Sequence, residues 1–142
     1  MRRCKHTVLW VDDDPNVSAA FARRLLRYSI RVVPASDGMQ GYWMALTKSP
    51  DAIVTDLRMP RWEGEELVDC LKHNATTRAI PTIVLSGYVA DFSENFRTDY
   101  GIDAVLEKPI ALEKLLATLR SCWASGPGSA SVESRRTLLQ GA

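Results

Sequence analysis

The sequence predicts an α/β fold: a doubly wound, five-stranded parallel sheet with helices on both faces. Two observations carry the prediction. Short apolar runs recur along the chain, and segments with helical periodicity separate them, which is the pattern of strands covered on both sides. The runs are Val8–Val11, Ile30–Val33, Ala52–Val54, Thr82–Leu85 and Ala104–Leu106. Most are rich in β-branched residues, as strands buried on both faces require, with Trp10 a bulky exception. Five β-α units in about 125 residues, joined by right-handed crossovers, make an open sheet rather than a closed barrel.

The helices follow in order. Asp14 stands where it can cap free amides and Pro15 occupies the first helical position, after which Val17, Phe21, Leu25 and Tyr28 mark one face. A second helix is expected over Asp37 to Lys48, a third over Glu63 to His73, and a weaker fourth between Val89 and Asp99. The last is the most legible: Leu112, Leu115, Leu116, Leu119 and Trp123 form one stripe, and Gly126 and Pro127 supply stop signals. Residues 1–124 are therefore expected to form one domain. Residues 125–142 turn to Ser, Gly and Ala and read as a flexible tail or linker, although Val132, Leu138 and Leu139 leave a short docking helix open.

Length and composition narrow the function. With 142 residues there is room for one compact domain and a short appendage. Eighteen basic residues against 17 acidic ones leave a net charge of +1, which builds no broad positive field and disfavours nucleic-acid binding by this segment. Cys4, Cys70 and Cys122 are odd in number and widely spaced, so they read as reduced thiols of a cytoplasmic protein rather than a disulfide framework or zinc site. The basic start ahead of Val8 is followed by only a short apolar run before Asp12, Asp13 and Asp14, which is neither an export signal nor a membrane span.

In open α/β sheets the functional crevice lies beyond the carboxyl ends of the strands. Strand one ends at Asp12 and Asp13, strand three at Asp56, strand four at Ser86, and strand five runs through Glu107 into Lys108 and Pro109. Three carboxylates, a hydroxyl and a lysine would meet there. Two carboxylates ~4 Å apart repel by about 1 kcal/mol in water and nearer 4 kcal/mol at a partly shielded site, so a cation must offset them. Oxygen ligands without His or Cys favour a hard ion, and Mg2+ suits a site that shares its shell with a phosphoryl group; the loop spacing typical of calcium is absent. Asp56, alone at its strand end, is then placed to act as nucleophile towards phosphorus while Asp12 and Asp13 hold the metal, with Ser86 and Lys108 meeting phosphoryl oxygens.

These residues resemble the receiver domains of bacterial two-component response regulators. The resemblance rests on Val11-Asp12-Asp13-Asp14-Pro15, Thr55-Asp56-Leu57-Arg58-Met59-Pro60 with Gly64, Ser86-Gly87 and Lys108-Pro109, and covers roughly residues 6 to 124. Each motif alone is weak; their order and spacing together are specific. The resemblance implies a flavodoxin-like sheet of order 2-1-3-4-5. It also implies that a histidine kinase or histidine phosphotransfer protein phosphorylates Asp56, and that the change is read by an effector protein or an output domain. Asp12 and Asp13 match the family's acidic pair, Ser86 its switch hydroxyl, Lys108 its lysine, and the carbonyl of Arg58 a backbone metal ligand. The Lys108-Pro109 bond is expected to be cis, and family members often pair through the face made by the fourth helix, fifth strand and fifth helix. Such a protein is a signalling phosphoacceptor rather than an enzyme, beyond catalysing its own phosphorylation and dephosphorylation.

The pattern is broken at one switch position. The family commonly carries Tyr or Phe three residues before the lysine, and here that residue is Val105. Either coupling to the output face is rerouted, or the valine packs as an ordinary strand residue. Arg58 and Tyr88 flank the expected path of hydrolytic water; they either shield an aspartyl phosphate or point into solvent. Trp62 follows the acceptor loop and reads equally as a site neighbour or a loop aromatic, while His6 and His73 read as structural or solvated. Three alternatives compete. A haloacid-dehalogenase-type phosphatase would use Asp12 as nucleophile, but Asn16 stands where that family wants Thr or Val. A nucleotide binder needs an amide cradle after strand one, where three aspartates would repel phosphate. A phosphorylation-independent scaffold is kept open by Val105 and opposed by the otherwise complete site.

Overall fold

The computed structural model describes residues 4–57, 64–87 and 100–124. The expected fourth helix, Arg58, Trp62, Tyr88 and the segment 125–142 fall outside these residues. Among the described residues the elements run in the order β1 His6–Val11, α1 Pro15–Leu26, β2 Ile30–Ala35, α2 Gly38–Lys48, β3 Ala52–Asp56, α3 Gly64–Lys72, β4 Thr82–Ser86, β5 Ala104–Glu107 and α4 Leu112–Ala124. The strands form one parallel sheet in the order β2-β1-β3-β4-β5, as the resemblance implied. Among the described residues no helix is long and apolar enough to cross a membrane.

Strand alternation divides the core between the two faces of the sheet. Val8, Trp10, Val54, Ile83 and Leu85 pack with Leu25 of α1 and Leu115, Leu116 and Leu119 of α4. The intervening residues Leu9, Val11 and Ile53 pack on the other face with Ala45, Leu67 and Leu71. Each fully buried aliphatic side chain contributes about 1.5–3 kcal/mol relative to exposure, so the period of two in the strands drives the layering. Trp10 is fully buried, and its ring stacks 4.7 Å from that of Phe21.

The helix starts follow the sequence signals closely. Asp14 caps α1 by accepting from the Asn16 amide at 2.9 Å, and Asp37 caps α2 by accepting from the Gln40 amide at 2.8 Å. The expected helical face Val17, Phe21, Leu25 and Tyr28 needs one correction. Helix α1 ends at Leu26, and Tyr28 lies in the following turn, 45% exposed, with the Arg120 guanidinium 5.6 Å over its ring. All five strands run one or two residues beyond the apolar runs, because their end residues pair even where they are polar or half exposed.

The three cysteines are free thiols. At the amino ends of the strands, His6 stacks face to face on Trp123 with ring centroids 3.8 Å apart, while the indole N–H of Trp123 donates to the Asp51 carbonyl at 3.1 Å. His6 is a packing residue in this structure. Lys108-Pro109 is cis.

Candidate functional site

Strand register brings the polar ends together. Val11 pairs with Thr55, so Asp12 and Asp56 emerge side by side from β1 and β3. Asp56 pairs with Leu85 and Ser86 with Glu107, which carries Ser86 and Lys108 to the same edge one step further on. The Lys108 amide donates to the Ser86 carbonyl at 2.7 Å, tying the last two strand ends. Asp12, Asp56, Ser86 and Lys108 are far apart in sequence; parallel pairing alone collects them.

The acidic cluster is real. Asp12, Asp13 and Asp56 each offer a carboxylate oxygen, and these atoms lie within 4.8 Å of one another. Asp12 and Asp56 are buried, at 4% and 8% exposure, while Asp13 is exposed. Asp12 is held by the end of β2 and by its own loop: its amide donates to the Ala35 carbonyl at 3.0 Å, and its Oδ1 accepts from the Asp14 amide at 2.9 Å. Its Oδ2 is buried without a hydrogen-bond partner. Burial, and secondarily the neighbouring Asp56 carboxylate, push the Asp12 carboxyl above its ordinary range, against the Asp14 amide and Lys108.

Lys108 relieves part of this repulsion. Its Nζ lies 2.9 Å from Asp56 Oδ2, an ion pair shared between a side chain 36% exposed and one 12% exposed. On the far side of Asp56, the Thr55 hydroxyl donates to the Asp56 carbonyl at 3.0 Å and the Leu57 amide to the Leu85 carbonyl, fixing the backbone from which the carboxylate projects. Ser86 is 3% exposed at the end of β4, and the adjacent Gly87 is open on the side where a Cβ would stand.

The donor set fits a hard divalent cation. An acidic oxygen buried without a partner and two further carboxylates beside it, with no His or Cys in the cluster, form a hole in the hydrogen bonding that an oxygen-seeking ion fills. The sequence profile described as "Response regulator receiver domain" matches residues 8–120. This chain belongs to the response regulator receiver family.

The receiver's relatives agree. It is 36% identical over 114 residues to "Response regulator MprA" of Mycobacterium leprae, covering 80% of this chain and 49% of that protein. It is 33% identical over 116 residues to "DNA-binding dual master transcriptional regulator RpaA" of Synechocystis, covering 80% and 47%. The chain thus spans about half the length of the curated relatives it matches. Among solved structures, the chemotaxis response regulator CheY4 of Vibrio cholerae superposes with a TM-score of 0.75 at 26% identity, over 82% of this chain and 98% of that one. The protein is a receiver of two-component signalling, and the phosphatase alternative has no support in the sheet order or the family match.

Of the residues expected at the receiver's site, Asp12, Asp13, Asp56 and Lys108 converge by side chain and Ser86 by strand position. The carbonyl of Arg58 and the flanking Arg58 and Tyr88 side chains lie outside the described residues. Val105 packs against the buried group Leu57, Val68, Val84 and Ile102, alongside Tyr100, which favours the plain packing reading. One residue escaped the sequence reading. A Cβ on Gly41 of α2 would stand 2.8 Å from Val11 Cγ2, so this glycine lets the helix close on the residue preceding Asp12. Its signal was present as a glycine inside a helical pattern.

Proposed function

We propose that Asp56 is the phosphoacceptor of this receiver, that Asp12, Asp13 and Asp56 hold Mg2+ with the Arg58 carbonyl as a further ligand, and that Ser86 and Lys108 bind the transferred group. The observation that carries this is the Lys108 to Asp56 contact of 2.9 Å beside the buried, unpartnered Asp12 oxygen. A cation on one side of the acceptor and an unmet acidic site on the other make a frame for a phosphoryl group.

The chemistry follows from the charges. An Asp56 carboxylate oxygen attacks phosphorus, the bond from phosphorus to the partner's histidine nitrogen breaks, and that nitrogen keeps the electron pair. A dication bound by the acidic cluster would neutralise phosphoryl oxygens that three carboxylates otherwise repel. Lys108 Nζ, already beside Asp56, shifts its contact to a phosphoryl oxygen, and the Ser86 hydroxyl donates to another. Without that dication the three clustered carboxylates would repel the incoming phosphoryl oxygens, so phosphorylation depends on the metal.

The donor is a histidine kinase or histidine phosphotransfer protein in the cytoplasm, and the consequence is altered binding to an effector or output domain. The chain's own catalysis is confined to gaining and losing its phosphoryl group. Incubation with a small-molecule phosphodonor and Mg2+, read by intact mass, tests the assignment: wild type gains one phosphoryl group, and Asp56→Asn and chelated wild type gain none. Modification of Asp56→Asn to the wild-type extent sinks it.

A further inference from the structure

Helix α1 carries a second feature at the end remote from the acidic cluster. From Pro15 to Ile30 the chain has no Asp or Glu but three arginines, Arg23, Arg24 and Arg27, all exposed. With Ala20 they occupy positions one turn apart along one helix face and line an open groove of about 340 Å³. Arg120 of α4 adds a fourth cation at this end, 5.6 Å over the Tyr28 ring. Among the described residues none of these four arginines is ion-paired with a carboxylate.

Ordinary helix electrostatics do not account for the cluster. Cations in the last turn, Arg23 and Arg24 here, complement the helix dipole, but each contributes only about 0.3–1 kcal/mol and the effect fades within that turn. Two large apolar side chains accompany the arginines, Leu26 at 59% and Tyr28 at 45% exposure. Apolar and aromatic groups ringed by arginine are the composition of a protein interface rather than of an idle surface.

We propose that this face docks an acidic helical segment of a partner protein, with carboxylates one turn apart engaging Arg23, Arg24 and Arg27 and an apolar side chain resting against Leu26 or Tyr28. The guanidinium fork suits carboxylate bidentately. A long polyanion fits less well. Removing these four positive charges from the overall +1 leaves −3 on the rest of the chain, which repels an extended nucleic acid or an anionic membrane but not a short acidic segment. Leu26 also has nothing to gain from a phosphate backbone. At 1.5 Å per residue, Arg23, Arg24 and Arg27 stand roughly 14–20 Å along the helix from the capping Asp14, so docking here leaves the phosphoacceptor accessible.

The test uses the full chain and a fluorescent synthetic helical peptide with glutamates at i and i+4 around a leucine. A peptide of the same composition with the glutamates adjacent, a DNA duplex and phosphatidylglycerol vesicles serve as comparisons. The spaced peptide binds best, with an affinity that falls as salt rises. The triple variant Arg23→Glu, Arg24→Glu, Arg27→Glu weakens it about tenfold or more, while phosphorylation by a small phosphodonor is unchanged. Equal binding of the two peptides, tighter binding of DNA or vesicles, or full retention by the triple variant overturns the proposal. If the triple variant no longer accepts phosphate, Arg27→Ala and Tyr28→Ala singly replace it, and unchanged peptide affinity in both is likewise fatal.

Discussion

Neutralising Asp12 should stabilise the metal-free protein even as it removes a metal ligand. The nearest oxygens of Asp12 and Asp56 lie within 4.8 Å, which at an effective dielectric of ~20 is about 3–4 kcal/mol of repulsion between two full charges. Lys108, 2.9 Å from Asp56, cancels a large part, so Asp12→Asn should gain about 1–2 kcal/mol, or about 3–8 °C in melting temperature for a domain of this size. The asparagine Oδ1 keeps the bond from the Asp14 amide, and its NH2 replaces the unpartnered Oδ2 beside Asp56. The pH dependence has a definite sign. Asp12 has a folded pKa raised above 3.8, so its favourable contribution is whole below 3.8 and lost as pH rises through the folded value. The advantage of the variant is therefore largest near neutrality and shrinks as the pH approaches 3.8. Circular dichroism melts in chelator measure it directly. Mg2+ should raise the wild-type midpoint and move the variant's much less. A variant that melts at or below wild type in chelator at neutral pH, or an advantage that does not shrink in acid, refutes the electrostatic account.

Three further outcomes probe the frame around the site. Gly41→Ala gains about 1 kcal/mol of helix propensity but forces a Cβ to 2.8 Å from a methyl of the buried Val11; a net loss of about 1–2 kcal/mol is expected by denaturant titration, together with weaker Mg2+ binding from displacement of the neighbouring Asp12. Thr77→Val removes the donor 2.7 Å from the Leu71 carbonyl at a fully buried position, and leaving that carbonyl unmet should cost about 1–3 kcal/mol in the same titration. Ser49 ends α2 in the left-handed region at φ 45°, so Ser49→Gly should raise the melting temperature slightly, by about 0.5–1 kcal/mol of relieved strain.

Much of this protein was readable from local chemistry. Asp14 followed by Pro15 marks a helix start, an alternating apolar run marks a strand, and the stripe from Leu112 to Trp123 marks the last helix, because capping, backbone sterics and periodic burial act over a few residues. The polar strand ends named Asp12, Asp13, Asp56, Ser86 and Lys108 as partners, since a parallel α/β sheet has one end where such residues meet. Local signals misled where the helix stops: Tyr28 continues the apolar spacing of α1 but lies past its end, held at the surface beside Arg120.

What periodicity could not decide was distance. That Val11 pairs with Thr55 and Ser86 with Glu107 is a property of the assembled sheet, and a slip of one residue would send these carboxylates to opposite faces. The ion pair of Lys108 with Asp56, the approach of Asp12 to Asp56, that of Gly41 to Val11 and the seating of Arg120 over Tyr28 all join segments far apart in the chain. Such contacts form only when the two layers of helices close on the sheet, so the sequence by itself determined which elements and reactive groups exist, while the packed structure determined which of them touch.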